Sequence, residues 1–141
     1  MELFKAALQA KRAVPEPVLN IMRAFPRDAQ PMAVLRTAVS AMGLIDRDAD
    51  NITAAGAREK ALVLTAVMPS LVAAWERLRN GREPIAPRRG LSHAANFLYM
   101  LSGEEPNPDA VAAFDSYLVL LADHGFNAST FSARVTTSTG S

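Results

Sequence analysis

A chain of 141 residues, half of them hydrophobic and 21% charged, has the length and balance of a folded unit with a core and not of a disordered segment. Fifteen basic and fourteen acidic residues nearly cancel, to a net charge of +1, so no overall field draws the chain to nucleic acid or to an anionic membrane. The lack of cysteine excludes disulfides, thiolate metal sites and cysteine nucleophiles, and it fits a reducing, cytoplasmic setting.

The chain reads as helix throughout, all-α, with about seven helices. The first is expected over Glu2–Arg12, with Leu3, Phe4, Ala7 and Leu8 on one face. The second spans Glu16–Phe25, where Val18, Ile21, Met22 and Phe25 recur at i, i+3, i+4 and i+7 before Pro26 stops it. A third starts at Pro31 and is expected to end at Gly43. Its polar strip is narrow (Arg36, Thr37, Ser40), and a helix apolar nearly all round must be covered on most sides, here in part by a second chain. The fourth is long, Ala57–Arg79, with Pro69 inside it. Proline removes the bond to the Thr65 carbonyl, so a kink is expected there. No apolar run comes near the ~20 residues that span a bilayer.

A loop rich in arginine and proline follows. Its basic residues between Arg82 and Arg89 are interrupted by Glu83 and read as a solvated connection. Leu91–Leu101 forms a short helix with Ser92 as its N-cap. Asn107-Pro108-Asp109 then supplies a capping side chain, a proline at the first helical position and an acid at the positive end. That sixth helix is expected to run to His124 with Val111, Phe114, Leu118 and Leu121 inward. Glycines 43, 81, 103 and 125 each follow an apolar run, as residues just past a helix end do. A seventh helix begins near Asn127, and the tail Val-Thr-Thr-Ser-Thr-Gly-Ser reads as a truncation.

The chemistry concentrates in Asp123-His124-Gly125-Phe126-Asn127-Ala128-Ser129-Thr130. His124 ends one helix, Gly125 permits a reversal, and Asn127 caps the next. An imidazole donor beside a helix N-terminus suits a carboxylate or a phosphate. The plainer alternative is that His124 only complements the helix dipole. Asp123 would share the helix with His124, its side chain roughly 100° away, and makes a poor catalytic base. His93 reads as structural, Trp75 and the methionines as core, and two histidines without carboxylates at ligand spacing argue for no metal.

This octet resembles the HGxNAST segment of citrate synthases. Two further stretches resemble that family in the same order. Gln30-Pro31-Met32 through Ser40 is similar to its HPMxxLRTAVS helix, with Gln30 where histidine is common. Leu91-Ser92-His93 through Met100 is similar to LSHAANFLYM. The resemblance implies a partial large domain of a two-domain, helical homodimer that condenses oxaloacetate with acetyl-CoA to citrate and free CoA, without metal or cofactor. It implies that His124 hydrogen-bonds oxaloacetate and that Asn127 helps shape the same pocket. The family's GPxHGGAN histidine, second catalytic histidine, catalytic aspartate and clamping arginines lie past Ser141 in family order. No catalytic residue is therefore expected in this chain, and alone it is expected to be inactive. Two other readings stand beside this one. A 2-methylcitrate synthase would use propionyl-CoA, and a non-catalytic helical module would keep only the dimerising part.

Overall fold

The computed structural model describes residues 2–123, 125 and 127–139. Among these residues there are seven helices and no strand: α1 (Glu2–Ala10), α2 (Glu16–Arg23), α3 (Pro31–Ile45), α4 (Ala54–Arg79), α5 (His93–Ser102), α6 (Pro108–Ala122) and α7 (Ala128–Ser138). They take up about two thirds of the chain, the all-α architecture that the periodicity predicts.

Four helices begin on a side-chain cap. Thr53 accepts from the Gly56 N–H, Ser92 from Ala95, Asn107 from Asp109 and Ala110, and Asn127 from Thr130. Each satisfies a donor that the first turn leaves without a partner, and each is worth about 1 kcal/mol. Pro31 and Pro108 open α3 and α6, where a missing N–H costs nothing. At the far end of α4 the Arg82 N–H returns to the Arg77 carbonyl and that of Gly81 to Leu78. This double closure is made possible by the positive φ of Gly81, +71°.

Several boundaries differ from expectation. Gly43 does not end α3, because it keeps a helical backbone and Leu44 and Ile45 carry the helix one further half-turn. α4 begins three residues early, at Ala54, because Thr53 is its cap. As expected, the helix is not broken at Pro69. α6 stops at Ala122, and Asp123 has left the helix (φ −90°, ψ 82°), so the rotation expected between it and His124 does not apply. Aspartate competes for backbone donors and is a weak helix former, which favours an exit there.

The residues form two compact units, one running to Pro106 and the other starting at Asn107. In the first unit α4 is the central element, packed against α1, α2, α3 and α5. Val18 and Met22 from α2, Val34, Ala38 and Ala41 from α3, and Val67, Leu71, Ala74 and Trp75 from α4 make its core. The buried stretch of α4 is rich in small side chains, Ala66, Ser70, Ala73 and Ala74, which let neighbouring helices approach on several sides.

That setting also explains a departure from the sequence reading. By length and composition α4 is apolar enough to cross a membrane, since residues 61–75 carry no charge. Its apolar length serves packing, since four helices of the unit contact it and 39% of its apolar window is buried.

The loop between α4 and α5 is braced instead of merely solvated. The buried Asn96 accepts from the Arg88 N–H at 2.9 Å. Arg77 donates to the Glu83 carbonyl at 2.6 Å and to that of Leu101 at 3.2 Å. The Arg88 guanidinium stacks 4.6 Å from the Tyr99 ring centroid and pairs with Glu105.

In the second unit no described residue of α6 or α7 is buried. The expected inward face of α6 is recognisable, with Val111, Phe114 and Leu118 half-buried, but Leu121 is exposed. Two short helices have too little surface to enclose a core of their own.

Candidate functional site

The residues singled out for chemistry sit at the turn between α6 and α7. His124 and Phe126 lie outside the described residues. Gly125 has φ +61°, a left-handed backbone that glycine adopts without cost. Asn127 follows with an extended backbone (φ −73°, ψ 169°). Its Oδ1 accepts from the Thr130 N–H at 2.7 Å, and its carbonyl accepts from Phe131 at 3.0 Å.

This divides the work of the Asn127 side chain. The oxygen is committed to holding the first turn of α7. The Nδ2 amide donates to no acceptor among the described residues, and the residue is exposed. The N–H groups of Ala128 and Ser129, at the positive end of α7, have no partner within the helix. Donors without acceptors on one exposed turn can hold an anionic oxygen. Asp123, the one carboxylate described at this turn, is exposed at the end of α6.

A separate cleft, of about 600 Å³, opens in the first unit where the end of α3 meets the start of α4. Its walls are Val39, Met42, Ile45, Val63 and Leu64. Two of the charged groups at its rim are engaged, Lys60 with the Asn51 carbonyl at 2.6 Å and Glu59 with Lys11, while Asp46 and Asp48, also at the rim, form no ion pair among the described residues. Its apolar walls suit an apolar partner surface. Ile45 and Leu64 are partly open beside it, and Leu44 and Met32 of α3 are exposed by 86% and 75%.

One polar residue escaped the sequence reading. Arg12 lies past the end of α1 and is 4% exposed, with no carboxylate at ion-pair distance among the described residues. Its Nη1 donates to the Leu91 carbonyl at 2.9 Å, and burial pushes its pKa below the ordinary value. No periodic signal marked it, because Arg12 lies beyond α1 and its partner carbonyl is far away in sequence.

Comparison with known proteins agrees with this arrangement. The family model described as "Citrate synthase, C-terminal domain" matches residues 1–141. The chain is 47% identical over 136 residues to the citrate synthase of Deinococcus radiodurans, covering 96% of this chain and 36% of that protein. It is 50% identical to the citrate synthase of Haloferax volcanii, covering 99% and 38%. It is 46% identical to a 2-methylcitrate synthase of Mycobacterium tuberculosis, covering 100% and 35%. Its fold superposes on the crystal structure of citrate synthase from Pyrobaculum aerophilum with a TM-score of 0.89 at 37% identity, over 99% of this chain and 37% of that one. The chain thus spans a little over a third of the length of the relatives it matches. Its own seven helices, its capped α6–α7 turn and a family match over every residue leave one assignment: the chain belongs to the citrate synthase family.

Proposed function

We propose that this chain is part of the large domain of an enzyme that condenses oxaloacetate with acetyl-CoA to citrate and CoA, and that it contributes one side of the oxaloacetate pocket. In this reading His124 donates a hydrogen bond to oxaloacetate. Asn127 holds the N-terminus of α7 beside it and offers Nδ2 as a further donor. The chain supplies binding and not the base that takes the methyl proton of acetyl-CoA, so by itself it forms no citrate. The enzyme works as a homodimer in the cytoplasm and uses no metal or prosthetic group. The observation that carries the reading is the family match over the whole chain, with the HGxNAST-like turn in family order.

The test uses the protein together with the flanking sequence that completes the site. His124→Ala should raise the KM for oxaloacetate by about 10- to 150-fold, the loss of one hydrogen bond to a charged oxygen at about 1.5–3 kcal/mol. The KM for acetyl-CoA should change little. A large loss for acetyl-CoA with oxaloacetate unaffected would put His124 in the other half of the site.

A second reading, 2-methylcitrate synthase, is favoured by the Mycobacterium tuberculosis relative, whose 46% identity to this chain is close to the 47% of the Deinococcus radiodurans citrate synthase. Release of free CoA from acetyl-CoA and from propionyl-CoA, measured side by side with oxaloacetate, separates the two. A helical dimerisation module without catalysis is the outcome if the protein with its flanking sequence turns over neither.

A further inference from the structure

Asn80 and Gly81 close α4, and they form the one Asn-Gly pair in the chain. Such a pair has a reaction of its own in water. The amide nitrogen of the second residue can attack the side-chain carbon of the first, and glycine obstructs that approach least because it has no Cβ. Both residues are exposed, so water reaches them.

The closed turn holds back each group that the reaction needs. The Gly81 N–H must give up its proton before its nitrogen attacks, and it donates to the Leu78 carbonyl at 2.9 Å. The Asn80 Nδ2 is the leaving group, and it donates to the Glu76 carbonyl at 2.7 Å and to Oε1 of the same residue at 2.8 Å. The Asn80 ψ of 13° nearly eclipses the Gly81 nitrogen with the backbone nitrogen of Asn80 and so turns it away from the Asn80 side chain. A five-membered ring needs that nitrogen and the side chain on the same side of the Cα–C bond. The rotation that brings them together breaks the bond from Gly81 to Leu78 and the adjoining one from the Arg82 N–H to the Arg77 carbonyl, 2.9 Å.

We infer that Asn80 is a site of spontaneous deamidation, kept dormant by the closed C-terminal turn of α4 and released when that turn opens. In the open turn the Gly81 nitrogen loses its proton to solvent base and bonds to Asn80 Cγ. The Cγ–Nδ2 bond breaks, and Nδ2 leaves as ammonia. Water then opens the ring at either carbonyl, giving aspartate or isoaspartate at 80, and no other reactant is consumed. Neither product restores the turn. Aspartate loses the donor to Glu76 and adds a negative charge at the negative end of α4. Isoaspartate lengthens the backbone by one carbon just before Gly81 and displaces both closing N–H groups. The change is one-way, and it loosens the end of the central helix of the first unit. It involves neither His124 nor Asn127, so its failure leaves the family assignment standing.

The full chain is incubated at mildly alkaline pH, folded in one series and in concentrated guanidinium chloride in another. Mass spectrometry of the peptide that carries residue 80 follows the reaction, with isoaspartate separated from aspartate by chromatography. In the unfolded chain Asn80 should react at least tenfold faster than Asn20, which precedes a branched isoleucine. In the folded chain it should react at least tenfold more slowly than in the unfolded one, because only the open fraction is reactive. Arg82→Pro removes one closing N–H and should speed the folded-state reaction at least threefold with helix content unchanged. Should that variant lose its helices, the comparison of folded and unfolded parent decides alone. The isolated isoaspartyl form should unfold at a lower denaturant concentration than the parent. The inference is overturned if Asn80 reacts no faster than Asn20 in the unfolded chain, or if folded and unfolded chains react alike. A helical Arg82→Pro chain that reacts at the parental rate overturns it too, as does an isoaspartyl form as stable as the parent.

Discussion

Asn127 does two things with one side chain, and its two polar atoms can be separated by substitution. Oδ1 caps α7 and Nδ2 remains a donor. Asn127→Asp keeps a capping oxygen and loses the donor, and it adds a negative charge where a dicarboxylate is to bind. Asn127→Ala loses both. Asp and Asn cap equally well, whereas alanine costs about 1 kcal/mol. In the catalytically complete protein, Asn127→Asp should therefore unfold at the parental temperature but bind oxaloacetate at least tenfold more weakly. Thermal unfolding and the KM for oxaloacetate check the two halves. A parental KM in Asn127→Asp would leave Asn127 with a capping role only. The cap was legible in the sequence because an asparagine after a glycine reversal and three residues before Thr130 has few other uses. Arg12 was not legible as a buried residue, because a cation at a helix end is by default assigned to solvent. Only the tertiary position of the Leu91 carbonyl makes its burial tolerable.

At the scale of the helix, the existence and type of every element could be read from periodicity and caps, while the ends could not always be. Gly43 illustrates why. After an apolar run a glycine signals a helix end, yet the signal requires the backbone to turn left-handed, and at Gly43 it does not. Leu44 and Ile45 continue the apolar pattern, and the intrahelical bonds that this extension adds outweigh the entropy of fixing one glycine. A Cβ at Gly43 would meet nothing within 4 Å. Gly43→Ala should therefore stabilise the chain by about 0.5–1 kcal/mol, through helix propensity and a less free unfolded chain. Chemical denaturation should show a raised midpoint with an unchanged slope. Gly56 is the counterexample on α4. There an added Cβ would stand 2.7 Å from the Asn51 carbonyl oxygen, so Gly56→Ala should destabilise. The same experiment on both glycines tests whether close approach, and not helix position, decides the sign.

For the molecule as a whole, the apolar surface left around α3 demands a partner. The sequence reading expected α3 to be covered on most sides, and the single chain buries only Val34, Ala38 and Ala41 of it. Met32, Leu44 and Ile45 stay exposed, as do Leu64 of α4 and the isolated Ile52, and the apolar cleft at Val39, Met42 and Val63 runs between the two helices. Apolar residues gathered in this way are worth about 25 cal/mol per Å² when covered, and soluble monomers seldom leave such a patch open. A second copy presenting the same face would cover it by two-fold symmetry, since an isologous contact needs only one self-complementary surface. The chain should then associate in sedimentation equilibrium at micromolar concentration. Ile45→Glu, which places a charge at the wall of the cleft without touching the core of the unit, should shift that equilibrium toward monomer by at least tenfold. Its helix content should stay parental, because Ile45 is the last residue of α3 and is already partly in solvent. A parent chain that sediments as a monomer at high concentration, with Ile45→Glu indistinguishable from it, would mean that the face is covered by something other than a second copy.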